Sequence, residues 1–124
     1  LRRLLTNLIG NALKFRDPER PSKIKVRARR FAAGRRDAFG SRPAFPRLEL
    51  TISDNGLGIA PEHAAAIFEP FKRLHSRTRY PGTGIGLAIC KAIVERHRGE
   101  IRVEQQAKGP GSRFVLTLRA DAAT

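Results

Sequence analysis

The chain has 124 residues, 25 of them Lys or Arg against 11 Asp or Glu, a net charge of +14, with one Cys and neither Met nor Trp. That length suits one hydrophobic core rather than two, and 40% apolar with 29% charged residues is a globular rather than a disordered mix. The lone thiol, Cys90, excludes a disulfide framework and a multi-thiolate metal centre, and no apolar run approaches the ~18 residues of a membrane span.

The opening LRRLLTNL lacks Met, shows no signal peptide and reads as part of a helix. The expectation is a fragment of a longer cytoplasmic protein, whose other parts could carry a membrane anchor while this domain touches no membrane. Leu1, Leu4, Leu5, Leu8, Ala12 and Phe15 recur at the spacing of one helical face. Asp17-Pro18 ends that helix, because the residue before Pro is pushed out of the α region. Lys23 to Phe31 alternates Ile24, Val26 and Ala28 with charged neighbours and predicts a half-buried strand. Ala32 to Pro46, rich in Gly, Pro and Arg, predicts a long and mobile loop.

Leu48 to Ser53 predicts a second strand with Leu48, Leu50 and Ile52 facing inward. Asp54 to Ile59 is a glycine-rich turn, and Pro61 opens a short helix to about Phe68. Arg73 to Pro81 is polar and basic. Ile85, Ala88, Ile89, Ala92 and Ile93 predict a helix over Gly84 to Arg98, with Gly99 as its C-terminal cap. Glu100 to Gln105 and Ser112 to Leu118 predict a closing hairpin around Gly109-Pro110-Gly111. This mixture predicts an α+β fold, helices layered on one sheet.

The charge is uneven. Residues 1–48 carry 14 basic and three acidic side chains, a net +11, whereas residues 49–124 carry 11 and eight, a net +3. Such an excess raises a basic nucleic-acid-binding module as the alternative function. One Tyr and no Trp leave little to stack on bases. Solvated, Arg-decorated strands are the preferred reading, and nucleic acid is not expected as a partner.

Three stretches could carry chemistry. Gly82, Gly84 and Gly86 alternate directly before a helix, where bare N–H groups suit an anion and glycine lets a phosphate approach. A flexible hinge is the competing reading; a Walker loop is excluded because no Gly-Lys-Ser/Thr follows, and a dinucleotide fingerprint because no strand precedes. Asp54 sits at a strand end beside Gly56 and Gly58, either as a rim carboxylate or merely bonding its own turn. An EF-hand is excluded, since Ala65 stands where the closing Glu would be. Asn7, Asn11 and Lys14 form one polar stripe on the first helix; amide oxygens suit Mg²⁺ and the ammonium suits phosphate. A solvated helix face is the bland alternative, but Asn is a poor helix former and two of them call for a reason.

Together these stretches resemble one family. Asn7 to Phe15 (NLIGNALKF) resembles the N box of sensor histidine kinases, and Asp54 to Ile59 (DNGLGI) their first glycine box. Ile67 to Phe71 (IFEPF) resembles the F box, Gly82 to Ile89 (GTGIGLAI) the second glycine box, and Gly111 to Phe114 the last glycine-containing element, all in the family's order. The run from FKRLHSR to AIVERH looks most like kinases coupled to phytochrome-type or PAS-type sensors. The resemblance covers essentially the whole chain, as one domain over residues 1–124.

It implies the ATP-binding catalytic domain of a two-component histidine kinase, with another ATPase of the same fold as the alternative. The implied fold is the two-layer α/β sandwich shared with gyrase B, heat-shock and mismatch-repair ATPases, about three helices on one face of a mixed sheet of four or more strands. Asn11, with Asn7, would hold Mg²⁺ bridging the phosphates of ATP; Lys14 would contact phosphate, and Phe15 would line the pocket where many relatives have Tyr. Asp54 would accept the exocyclic amine of adenine, with Gly56, Gly58 and Ile59 beneath the base. Phe68 and Phe71 would anchor a lid over about residues 72–81, with Lys72 and Arg73 in it. Gly82, Thr83, Gly84, Ile85, Gly86 and Leu87 would wrap the phosphates, and Ser112 would complete the site. The implied partners are a histidine phosphoacceptor and dimerisation domain of the same protein, a response regulator receiver domain, and a second copy of the parent in a homodimer.

The sequence departs from the family in three places. The strand and first helical turn that usually precede the N box are missing, which implies a sheet one strand short. Residues 32–46 are longer and more basic than the usual connection. None of His63, His75 or His97 lies in a segment like the phosphoacceptor motif, so no catalytic residue of that kind is assigned here.

Overall fold

A computed structural model describes residues 2–69, 86–106 and 109–120. In order these form α1 (Arg2–Lys14), β1 (Ile24–Phe31), β2 (Arg47–Asp54), two 3₁₀ turns (Pro61–His63 and Ala66–Phe68), α2 (Gly86–Arg96), β3 (Ile101–Gln105) and β4 (Ser112–Arg119). The sheet order is β1-β2-β4-β3, and α1 and α2 pack against one another over β2 and β4. This is the expected α+β sandwich, with one correction: among the described residues the sheet is not mixed. All three pairings are antiparallel, because β4 returns from the β3 hairpin and enters against β2. The short helix expected from Pro61 is also corrected. Ala64 and Glu69 donate to the carbonyls of Pro61 and Ala66, the tighter three-residue pattern, and neither turn has a side-chain cap to seed a longer helix.

The core follows the apolar periodicities. Leu4 and Leu8 of α1 and Cys90 and Val94 of α2 meet Leu50 and Ile52 of β2 and Phe114 and Leu116 of β4, all buried. Phe68 closes one end, edge-on to Phe114 with ring centroids 6.1 Å apart. β1 departs from its expected half-burial. The register sets Val26 opposite Ile52 and Ala28 opposite Leu50, yet Val26 is 49% exposed, because the helices stop over β2 and β4.

The segment 32–46, expected to be mobile, is built around a buried ion pair. Arg47 Nε lies 3.3 Å from Asp37 Oδ2, with side chains 1% and 2% exposed. The guanidinium also donates to the carbonyls of Ala32, Arg35 and Phe45, while Asp37 Oδ1 accepts the N–H groups of Phe39 and Ser41. Arg102 donates to the Ala38 carbonyl at 3.0 Å and stacks on Phe39, and Ser41 Oγ donates to Glu100 at 3.1 Å. The segment therefore folds back across the sheet face away from the helices, where Arg47 and Thr117 are buried.

The end of α2 also differs in detail from the sequence expectation. Arg98, not Gly99, takes the left-handed conformation (φ 57°). Its N–H donates to Glu95 and that of Gly99 to Val94, the paired bonds of a Schellman ending. Glycine is needed at 99 for another reason: a β-carbon there would lie 1.6 Å from the Thr117 carbonyl oxygen. Among the described residues, no helix is long and apolar enough to cross a membrane.

Candidate functional site

β2 ends on Asp54 and β4 begins on Ser112, and the antiparallel pairing brings these two ends to the same rim of the sheet. Asp54 is 7% exposed. Its Oδ1 accepts the N–H of Gly56 at 2.9 Å and of Ser112 at 3.3 Å, and its Oδ2 accepts Ser112 Oγ at 3.0 Å. A carboxylate oxygen offers two lone pairs. Among the described residues Oδ1 uses both and Oδ2 only one, so an acceptor site remains for one further donor.

Glycine is required around this carboxylate. A β-carbon at Gly111 would meet the Asp54 carbonyl oxygen at 1.9 Å, and Gly111 has φ +106°. One at Gly56 would meet the Phe15 carbonyl oxygen at 2.6 Å. Gly58 (φ +81°) packs against the Gly111 backbone, and the half-buried Ile59 rests on the core. The close approach at Gly56 places the end of α1 against this loop, and the Leu57 N–H donates to the Phe15 carbonyl at 3.1 Å. The structure thus unites Phe15, Asp54, Gly56, Gly58 and Ser112, which are far apart in sequence.

The polar stripe of α1 lies beside its buried face of Leu4, Leu8 and Ala12. Asn7 and Asn11 are half-buried and Lys14 is exposed, with its ammonium 5.7 Å from the Phe15 ring centroid. The Asn7 amide nitrogen is buried without a hydrogen-bond partner among the described residues. It faces Cys90 of α2, whose thiol burial pushes up to about 11, partly opposed by the Asn7 amide. That nitrogen is a donor turned toward α2, so the groups that suit Mg²⁺ are the amide oxygens of Asn7 and Asn11, one helical turn apart, with the Lys14 ammonium a further turn on for phosphate. Asn7 and Asn11 would hold Mg²⁺ there. Gly86 opens α2 with nothing among the described residues near its β-carbon position, and Leu87 packs on the core. Phe71, Lys72, Arg73, Gly82, Thr83, Gly84 and Ile85, together with the expected lid, lie outside the described residues.

Residues 1–122 match the family model described as histidine kinase-, DNA gyrase B- and HSP90-like ATPase. The chain belongs to this family. Within it, this ATPase domain is similar to cyanobacterial phytochrome A of Nostoc sp., 43% identical over 118 residues, covering 95% of this chain and 14% of that protein. It is likewise similar to the sensor histidine kinase AruS of Pseudomonas aeruginosa, 44% identical over 120 residues, covering 95% of this chain and 11% of that protein. The domain therefore spans about a seventh or less of the length of these two relatives. Among solved structures, the mycobacterial sensor histidine kinase MprB superposes with a TM-score of 0.72 at 32% identity, covering 94% of this chain and 68% of that one. Full-length ShkA in complex with AMPPNP gives a TM-score of 0.72 at 28% identity, covering 99% of this chain and 22% of that one. It is a histidine kinase-type ATPase domain, and its family binds ATP.

Two residues of the site escaped the sequence reading. Gln106 Nε2 donates to the Asp54 carbonyl at 3.0 Å, and the Arg20 guanidinium reaches the loop carrying Gly56. Both contacts join residues more than 30 positions apart, and neither has a local signature.

Proposed function

We propose that residues 1–124 act as one catalytic unit that binds ATP with Mg²⁺ and presents its γ-phosphoryl group to a histidine on a separate phosphoacceptor and dimerisation domain of the same protein. The observation that carries this reading is the Asp54 carboxylate, buried and gripped on both oxygens, with one lone pair of Oδ2 unused among the described residues. Adenine offers an exocyclic amine to such an acceptor, whereas guanine offers a carbonyl oxygen at the same edge and is repelled. Gly56 and Gly58 keep side chains away from the base.

Lys14, Asn7 and Asn11 serve the phosphate end, joined in this proposal by Lys72, Arg73, Gly82, Thr83, Gly84, Ile85 and the α2 start at Gly86. Mg²⁺, when bound, neutralises phosphate charge; the chain's own residues bind, orient and screen, which is what phosphoryl transfer asks of a protein. Residues 1–15 contain no acidic side chain to activate water, which supports transfer to an acceptor over hydrolysis. His97 follows the last residue of α2, with Nδ1 2.9 Å from the Ile93 carbonyl, roughly 16 Å along the axis from Gly86, too far to attack a phosphate there. His63 is exposed in a 3₁₀ turn that follows the adenine carboxylate rather than the phosphate end. The downstream partner is a response regulator receiver domain, and the parent protein is a cytoplasmic-facing homodimer joined through the acceptor domain.

Incubation with γ-labelled ATP tests the reading. The domain alone should stay unlabelled, and adding the acceptor domain should place acid-labile label on that partner. Label on the domain alone that vanishes in His75→Gln would overturn it.

A further inference from the structure

The geometry points to Arg20 as a positioning residue for the adenine end of the site, a role that rests on the nucleotide reading above. All three nitrogens of its guanidinium are engaged. Nε donates to the Asn55 carbonyl at 2.8 Å, Nη2 donates to the Gly56 carbonyl at 3.1 Å, and Nη1 pairs with Asp17 Oδ2 at 3.0 Å. Only a planar fork makes these contacts together; an ammonium at the same place cannot. Asp17 is itself set, its Oδ1 accepting the Glu19 N–H at 2.8 Å.

Those two carbonyls belong to the peptides that follow Asp54. Gly56 is held from both sides, because its N–H donates to Asp54 Oδ1 while its carbonyl accepts from Arg20. Moving the Gly56 peptide therefore rotates or releases the carboxylate. The Asn55 side chain doubles the attachment, accepting the Lys23 N–H at 2.8 Å and donating to the Pro21 carbonyl at 2.9 Å. Leu57 adds its bond to Phe15 at the end of α1. Residues 17–23 thus form a strap from the end of the helix carrying Asn7, Asn11 and Lys14 to the loop beside the base, and Arg20 is its buckle. The bonds of the Arg20 guanidinium all go to Asn55, Gly56 and Asp17, so it acts through Gly56 on Asp54. The side chain is 34% exposed, so its removal leaves no large cavity in the core.

The test compares the unmodified chain with Arg20→Ala and Arg20→Lys, using calorimetric titration with Mg-ADP, Mg-ATP and Mg-GDP and hydrogen exchange at Gly56 and Leu57. In Arg20→Ala the affinity for ADP should fall about tenfold, the loss of two charge-assisted hydrogen bonds that hold the acceptor. The ADP-to-GDP ratio should shrink several-fold while the ATP-to-ADP ratio holds, since the phosphate end is untouched, and Gly56 exchange should accelerate. Arg20→Lys, which keeps the cation beside Asp17, should fall between the two and covers the case in which the alanine variant fails to fold. A folded Arg20→Ala with unchanged ADP affinity, selectivity and Gly56 exchange overturns the assignment while leaving the nucleotide reading intact. An unmodified chain that binds neither ADP nor ATP overturns the reading itself and Arg20's part in it.

Discussion

Ser112 grips both oxygens of Asp54, its hydroxyl donating to Oδ2 at 3.0 Å and its amide to Oδ1 at 3.3 Å. The first residue of β4 thereby sets the orientation of the last residue of β2. The carboxylate is aimed before any ligand arrives, which lowers the cost of ordering it on binding.

From this arrangement follows the effect of Asp54→Asn. The amide keeps one oxygen for the Gly56 and Ser112 N–H groups, and its NH₂ then faces the position where adenine would donate. ATP and ADP affinity should fall by about 1–2 kcal/mol, and the preference over GTP should disappear. Calorimetry on the variant and the unmodified domain checks this; equal affinity of the unmodified domain for ATP and GTP would refute the adenine assignment. Ser112→Ala should weaken ADP binding less and lower stability by about 1 kcal/mol.

Gly99 and Gly111 make a matched pair of tests. A β-carbon at Gly99 would strike the Thr117 carbonyl at 1.6 Å, and one at Gly111 the Asp54 carbonyl at 1.9 Å. Either Ala substitution should cost about 2–3 kcal/mol in thermal or urea unfolding. Gly111→Ala should also impair nucleotide binding by the folded protein, because it displaces Asp54. Gly99→Ala, near the far ends of α2 and β4, should leave binding intact.

The helices, β2 and the hairpin were legible because apolar spacing reports a buried face locally: Leu4, Leu8 and Ala12 for α1, Leu50 and Ile52 for β2. The rim around Asp54 was legible in its glycines, which are costly without a purpose, whereas the part proposed for Asn7 and Asn11 rests on their residue type alone. What failed depends on distant neighbours. Val26 alternates correctly but is exposed, since alternation cannot tell whether a helix will cover the strand. The order in residues 32–46 comes from Arg47 meeting Asp37 across ten positions. A hint was present in Asp37-Ala38-Phe39-Gly40, whose carboxylate accepts from Phe39 and Ser41 and whose Gly40 has φ +75°. Arg20 offered no hint, because its targets are backbone carbonyls.

Asp37→Ala should be among the most damaging substitutions away from the site. It leaves the Arg47 guanidinium buried without its counter-charge, and removing one partner of a buried pair costs about 3–5 kcal/mol. Thermal unfolding should show the loss, and ADP affinity measured well below the new midpoint should be unchanged.

Cys90 gives the domain a stability term at alkaline pH. Burial raises its thiol from 9.0 to about 11, so the folded state favours the neutral form. Stability is fully present below pH 9 and declines as pH climbs through about 11, by roughly 2–3 kcal/mol from this group. Cys90→Ser, whose hydroxyl does not ionise there, should flatten that decline in urea titrations. At neutral pH the native thiol should resist a disulfide reagent that modifies it readily after unfolding.

β1 bears on how copies of the protein behave toward each other. Among the described residues it pairs only with β2, and its outer edge carries a row of backbone donors and acceptors that an equivalent strand could match. Its exposed side chains include Lys25, Arg27, Arg29 and Arg30. Two such edges meeting at the ~4.8 Å spacing of a sheet would press six cations together on one face, Lys25, Arg27 and Arg29 of each strand, with Arg30 of each on the other. Part of the excess positive charge thus acts as a colloidal guard that keeps the strand from templating its own kind. Because salt screens exposed charges over ~10 Å at 0.1 M, self-association should grow, not shrink, as ionic strength rises.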